Sequence, residues 1–381
     1  MRYAKRIAVV VAAAMVALTG ATALAMSASA AQAAQTDAQG FPAFVGPLHH
    51  VSTVASTVPG NGDVNPYGMA VAPRTTGGLI AGNILISNFN DKQNEQGTGT
   101  TIVEITPSGR HWVFASIARH LRGCPGGVGL TTALVALRGG WVIVGSLPTS
   151  DGTSAHITGP GCLIVLDSNG MVRETFAGHG INGPWDMTAL DLGALSELFV
   201  TNVLNGTKAA NGGIVHGGTV LRLVITSGAA DVPRLLDVTR IGSGFAEHTD
   251  PGALVIGPTG VGLGRDGTLY VADTVASRIA AIPDATTRST NDGTGSTITQ
   301  GGALKGELGL VIAPNGDVLT ANASNGDLVE TTPSGMQIAV RHLDRSGSPP
   351  GAGALFGLVI RPGHRAVYFV DDATNTLGVL R

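Results

Sequence analysis

Apolar and polar positions along this chain alternate in short strokes. Residues 308 to 335, "LGLVIAPNGDVLTANASNGDLVETTPSG", run as an apolar segment, an Asn-Gly turn, a second apolar segment, another Asn-Gly, and a third segment. Runs of about five residues bounded by Asn-Gly or Asp-Gly predict β-hairpins, and the Gly supplies the positive φ that such turns require. The stretch repeats: "GVGLGRDGTLYVADTVASRIAAI" (260 to 282) aligns with it over 14 residues without a gap, placing Gly309 on Gly260, Asn315-Gly316 on Asp266-Gly267, and Asn322 on Asp273.

Four more copies follow the same plan: "GLVIRPGHRAVYFVDDATNTLGVL" (357 to 380), "TALVALRGGWVIVGS" (132 to 146), "DMTALDLGALSELFVTN" (186 to 202) and "GMAVAPRTTGGLIAGNILISN" (68 to 88). Each strand pair is followed by a third apolar strand, such as "TTIVEIT" (100 to 106) or "CLIVLD" (162 to 167), and in five copies by a more polar fourth, such as "HWVFASI" or "QIAVRHL". Six units of four antiparallel strands predict an all-β, six-bladed propeller. The last unit lacks its fourth strand because the chain ends at Arg381, while "HHVSTVASTV" (49 to 58) precedes the first unit and alternates like an outer strand. Pairing of residues 50 to 58 with 376 to 380 is therefore expected to close the ring, leaving no open seam.

The segments "NPYGMAV", "GPTGVGLGRDGTLYVAD" and "GLVIAPNGDVLTAN" resemble the NHL repeat of six-bladed propellers, in which Pro-x-Gly-apolar leads to Asp/Asn-Gly and then to apolar-Ala-Asp/Asn. The resemblance covers nearly all of residues 50 to 381. It extends in fold to the gluconolactonase/senescence-marker and strictosidine-synthase-like propellers, and it implies an architecture rather than an activity. The gluconolactonase group holds a divalent metal with a Glu, an Asn and an Asp. Its Glu lies in Glu-Gly-Pro-x-Trp, where this chain has "NGPWD" (182 to 186), and its Asn and Asp directly precede glycine, where this chain has Tyr67, Thr131, Trp185, Thr259, Leu308 and Phe356. A hard cation would be short of anionic oxygens here, so neither a metal, a cofactor nor lactone hydrolysis is expected.

Composition adds a leader. Arg2, Lys5 and Arg6 precede an apolar stretch from Ile7 to Ala25 and the small-residue run "SASAAQA" (27 to 33). This pattern predicts a secretory signal peptide of bacterial type over 1 to 33, an N-terminal extension over 34 to 48, and one propeller domain over 49 to 381. An uncleaved membrane anchor is the rival reading. Losing residues 1 to 33 removes three cations and no anions, moving the formal charge from −3 to −6. An acidic surface without a Lys/Arg cluster excludes nucleic acid as a partner, and no later segment is apolar enough to span a bilayer. A secreted, soluble monomer is the expectation. The two cysteines, Cys124 and Cys162, would bridge in an oxidising compartment; the alternative is two reduced, buried thiols.

Candidate chemistry concentrates where the chain enters the innermost strands, at the expected channel mouth. Tyr67, Thr132, Trp185, Asp186, Thr259, Glu307 and Phe356 would form a mixed pocket of aromatic walls and a few polar anchors for a small molecule, peptide or glycan. Packing around a water-filled channel is the alternative. Long connections at 89 to 99, 147 to 161 and 203 to 217, against short ones in the last three units, suggest a half-circular wall around that mouth. The polar residues ending the second strands, Asn88, Asn202, Asp273, Asn322 and Asp371, are read as bonding nearby backbone N–H groups in Asx-turns. "AEHTDPG" (246 to 252) gathers Glu247, His248 and Asp250 in an expected loop. No nucleophile elbow, zinc-protease, phosphate-loop or EF-hand motif is present, and no catalytic residue is assigned. Ligand binding is thus the first reading, with a channel hydrolase or lyase, or a cell-envelope interaction scaffold, as alternatives.

Overall fold

A computed structural model describes residues 42 to 148, 159 to 250 and 253 to 381. The predicted leader and parts of two loops, 147 to 161 and 246 to 252, lie outside the described residues. From Ala43 onward the chain forms six antiparallel sheets, numbered here as blades 1 to 6 in chain order. Their innermost strands are Val64–Val71, Leu134–Ala136, Pro184–Asp191, Pro258–Leu263, Glu307–Ile312 and Leu355–Val359.

The hairpins use the predicted glycines. In blade 5 the first turn is closed by Gly316 N–H donating to Ala313 O (2.9 Å) and Ala313 N–H donating to Asp317 O (2.8 Å), with Gly316 at φ 96°. That conformation costs glycine nothing and strains any residue with a Cβ. Apolar residues alternate with the pleat and meet between neighbouring blades: Leu85 and Ile102 of blade 1 pack with Val142, Val144 and Ile164 of blade 2, all fully buried. Each such side chain contributes about 1.5–3 kcal/mol relative to exposure.

The ring closes as expected. Strand Val51–Ser56 completes blade 6 by pairing antiparallel with Thr376–Leu380, from Val51 opposite Leu380 to Ser56 opposite Thr376. His50 and Arg381 exchange backbone hydrogen bonds of 2.8 and 2.9 Å. Cys124 and Cys162 form a disulfide across 38 residues, fastening the loop before blade 2 to that blade's third strand. In the chain-entropy model such a loop closure stabilises by about 4 kcal/mol.

Blade 3 departs from the expectation. Its fourth strand, Leu235–Asp250, runs straight through the segment read as a loop and turns back on a fifth strand, Leu254–Ile256, with His248 opposite Ile256 and Asp250 opposite Leu254. The pairing of β-branched Val255 and Ile256 with Thr249 and His248 of the long strand outweighs the loop-like composition around Pro251 and Gly252. The long connections also shorten: the blade 1 hairpin extends to Asn90 and resumes at Gln96, and the blade 3 connection holds a short helix, Thr207–Ala210.

A second feature that the composition does not reveal is a strap. Ala43 to Leu48 packs into the seam of blades 5 and 6, burying Phe44, Val45 and Leu48 against Leu319, Leu328 and Phe369. The buried Glu330 carboxylate accepts the Phe44 N–H (2.6 Å) and the Val45 N–H (2.9 Å), while Arg341 donates to the carbonyls of Gly46 and Leu48.

The strand-end polar residues divide. Asp371 accepts the Thr374 N–H three residues on (3.1 Å), one residue beyond an Asx-turn, and Asp273 pairs with Arg278. Asn202 instead accepts from Asn182 and Gly183 (both 2.9 Å), and Asn88 and Asn322 donate to the carbonyls of Thr57 and Ala303. Among the described residues no helix is long and apolar enough to cross a membrane.

Candidate functional site

The expected mouth is a packed lid. Tyr67, Trp185 and Phe356 meet there: the Trp185 Nε1–H donates to Tyr67 Oη (2.8 Å), the two rings cross edge-to-face at 6.0 Å, and Phe356 lies 5.4 Å from Tyr67. Phe89, Leu130, Leu147, Val203, Leu204 and Leu308 fill around them, and the extra hairpin of blade 3 adds Leu254 and Val255. The roots of the long connections thus turn inward to the axis. Tyr67 and Trp185 are only 2% exposed, so this end of the channel is closed by side chains. Burial raises the Tyr67 phenol well above its ordinary pKa, with Asp186 nearby adding to the effect.

Strand register shows what is unusual at this end. Where the chain enters each innermost strand, one residue pairs with the second strand at or near its end: Pro66 with Asn88, Leu130 with Leu147, Pro184 with Asn202, Pro258 with Asp273, Glu307 with Asn322, and Leu355 with Asp371. Five of these six are apolar and pack on the preceding blade. The sixth is Glu307, fully buried, with neither carboxyl oxygen in a hydrogen bond among the described residues. Burial, with Asp273 close by, pushes its pKa to about 8. Asp273 itself is paired with Arg278 at 2.7 Å. Thr259 sits in the same seam, its hydroxyl bridging Thr274 Oγ1 (2.6 Å) and the Glu307 carbonyl (3.1 Å). Thr259 and Glu307 therefore belong to the junction of blades 4 and 5.

Two residues further along lies a second ring: Gly68, Thr132, Asp186, Gly260, Gly309 and Gly357. The four glycines are required by close approach. A Cβ on Gly68, Gly260, Gly309 or Gly357 would lie 2.4, 2.3, 2.1 or 2.0 Å from a carbonyl oxygen of the next blade. Only blades 2 and 3 admit side chains here, and only blade 3 admits an ionisable one. Thr132 is buried, with no hydrogen-bond partner for its hydroxyl among the described residues.

Asp186 enters the channel. Beneath the lid the innermost strands enclose a cavity of about 210 Å³, lined by Tyr67, Met69, Leu134, Asp186, Met187, Val261, Leu310 and Leu358 together with Gly68 and Gly357. Its far end is flanked by Val71, Ala136, Ala189 and Val311, all half-exposed, so the channel opens on the face opposite the lid. The Asp186 carboxyl touches the cavity interior while protein surrounds it on every side. Desolvation pushes its pKa to about 8, although the Met187 N–H (2.7 Å) and the Val261 N–H of blade 4 both favour the ionised form. Tyr67 is the other titratable group lining the cavity.

Of the seven residues predicted for a site, the structure unites Tyr67, Trp185 and Phe356 in the lid and sets Tyr67 and Asp186 on the cavity. Sequence reasoning missed Met69, Leu134, Met187, Val261, Leu310 and Leu358, although these lie only one to three residues past the predicted positions. Glu247 and His248 do not form one constellation. Glu247 is buried and accepts the Asn205 N–H (2.9 Å), with its pKa pushed to about 7 by burial, while its strand neighbour His248 faces the opposite side, Nδ1 within 2.8 Å of Thr249 O. Among the described residues no group of three or more His, Cys, Asp or Glu converges as metal ligands.

No protein-family model and no functionally curated protein matches the sequence. Solved structures match the fold along its length. A gluconolactonase from Xanthomonas campestris superposes with a TM-score of 0.54 at 11% identity, over 88% of this chain and 90% of that one. A streptogramin B lyase gives 0.51 at 14%, over 90% and 99%. The calcium-binding protein regucalcin from Agrobacterium tumefaciens gives 0.51 at 14%, over 86% and 93%. This chain thus shares the six-bladed propeller fold of gluconolactonase-like and lyase propellers.

Proposed function

We propose that this protein binds a small molecule inside its central channel, entered from the face opposite the aromatic lid. One observation carries the reading: a cavity of about 210 Å³, lined by apolar side chains and exposed strand backbone, ends in Asp186, the one ionisable side chain of the ring of glycines. Apolar walls supply affinity and one placed polar group supplies orientation, which is the ordinary division of labour in a ligand site. A cavity of about 150 Å³ holds benzene, so this one takes a single ring or branched chain with a short polar arm.

The chain is further proposed to be an exported, monomeric NHL-type propeller. The pattern of residues 1 to 33 and the Cys124–Cys162 disulfide support export. Mass spectrometry of the mature N-terminus tests this, with a start after Ala30 or Ala33 expected and an intact Met1 contradicting it.

A hydrolase or lyase is the second reading, favoured by the pKa of Asp186, which suits a general acid. No second catalytic group lines the cavity beside it except Tyr67, so binding is preferred. Binding is tested by calorimetric screening of ring-sized fragments against the full chain and against Ala189→Trp and Ala136→Trp, which narrow the open end at half-exposed positions. Fragments that bind the parent and lose at least about tenfold in both variants, 1.4 kcal/mol, support the reading; equal binding to all three proteins, or to none, sinks it. Turnover of a bound fragment would move the assignment to the enzyme.

A further inference from the structure

The Asp186 carboxyl lines the cavity with no cationic side chain beside it. Desolvation holds it as the neutral acid, while two backbone N–H groups, from its own strand and from blade 4, are placed to support the ionised form once a cation offsets that cost. No Lys, Arg or His lines the cavity with it, and among the described residues it takes part in no ion pair. The group facing it from blade 1 is the Tyr67 phenol, whose oxygen accepts from Trp185 and whose own proton remains to be donated. From its partner strand Thr201 Oγ1 accepts the Asp186 N–H (3.1 Å), and blades 4, 5 and 6 present only apolar side chains and backbone to the cavity. An anionic ligand would meet a carboxyl and a phenol with no cation to receive it. A neutral ligand would gain a hydrogen bond from the protonated acid, whereas a cation would gain an ion pair together with the two N–H groups placed for the carboxylate.

Resting on the reading of the channel as a binding site, we propose that its ligand is a compact organic amine, an apolar ring or branched chain bearing one ammonium group that docks on the Asp186 carboxylate with the Tyr67 hydroxyl beside it. The ammonium supplies the missing positive charge, and Met69, Leu134, Met187, Leu310 and Leu358 take the hydrocarbon. In the empty channel near neutrality the carboxyl holds its proton, because burial lifts its pKa to about 8. Docking of the cation displaces that proton to solvent. Affinity for an ammonium therefore rises by about tenfold per pH unit between about pH 6 and 8 and then levels. A ligand that accepts a hydrogen bond from the neutral acid would show the opposite slope.

The experiment is isothermal titration of the full chain with cyclohexylamine, cyclohexanol and cyclohexanecarboxylate, and with smaller and larger homologues of each, in two buffers of different ionisation enthalpy. The amine is expected to bind at least about tenfold more tightly than the alcohol at pH 8, and to release up to one proton at pH 7. The carboxylate is expected not to bind. Asp186→Asn should remove the amine's advantage over the alcohol and its proton release. If alcohol and amine bind equally, or the amine series keeps its affinity in Asp186→Asn, the amine assignment is overturned while the binding reading stands. If no member of any series binds, or all bind Ala189→Trp as well as the parent, both fall.

Discussion

Asp186 and Glu307 invite comparison because each is an acid at a ring position that the other blades fill differently. Asp186 replaces a glycine, and Glu307 replaces a proline or leucine. Both are pushed to about pKa 8 by burial. Their surroundings then diverge: Asp186 lines an open cavity, while Glu307 is sealed in the seam between blades 4 and 5. A perturbed acid by itself does not mark a site. What distinguishes Asp186 is that it lines a cavity, so that something can reach it.

The largest expected effect is on the lid that separates the two positions from solvent. Trp185→Ala removes a buried ring and the hydrogen bond to Tyr67, and should cost about 3–5 kcal/mol in urea unfolding; a cost under about 1 kcal/mol would mean that the lid does not hold the ring of innermost strands. Next, Gly357→Ala pushes a methyl against the Tyr67 carbonyl and should cost about 1–3 kcal/mol. The same substitution at Gly363, an open turn with nothing near its Cβ position, separates the packing demand from the strain of positive φ (76°).

Glu307→Leu installs the residue type that blade 6 carries at the same position. Removing a buried, unpartnered carboxyl should stabilise the protein by about 1–3 kcal/mol at pH 8, read as a higher urea midpoint; destabilisation would mean that the acid has a partner after all. The pH dependence follows in sign. A carboxyl whose folded pKa lies near 8 and whose unfolded pKa lies near 4.5 binds more protons when folded. Its contribution is fully present below about pH 4.5 and is lost as pH rises through about 8. Stability should thus decline across that window, and the decline should be shallower in Glu307→Gln. The smallest stability effect is expected for Asp186→Asn, within about 1 kcal/mol, since the amide keeps an acceptor for the Met187 N–H.

Most of the architecture was legible in the chain because its causes are local. Asn-Gly and Asp-Gly turns, five-residue apolar strands and a displaced outer strand sufficed for six blades and their closure. The fifth strand of blade 3 was not legible, because Leu254 to Ile256 is too short to announce itself and its pairing depends on a strand that runs on past Glu247. The strap from Ala43 to Leu48 depends on Glu330, almost three hundred residues away, and on a seam that exists only once blades 5 and 6 are folded. At the site, the aligned copies already showed Asp186 among glycines. That the glycines are obligatory, and the aspartate therefore exceptional, required the next blade's carbonyls. Sequence also could not tell which face is open: the aromatic residues that suggest an inviting mouth are those that shut it.

The most direct test is a carbon-13 NMR titration of the Asp186 carboxyl in protein labelled at aspartate Cγ, with the resonance assigned by its loss in Asp186→Asn. The channel account predicts an apparent pKa near 8 in the free protein, falling by about two units or more when cyclohexylamine is added, and unmoved by the amine in Ala189→Trp. An Asp186 that titrates near 4, or one whose pKa is high and indifferent to any amine, would contradict it.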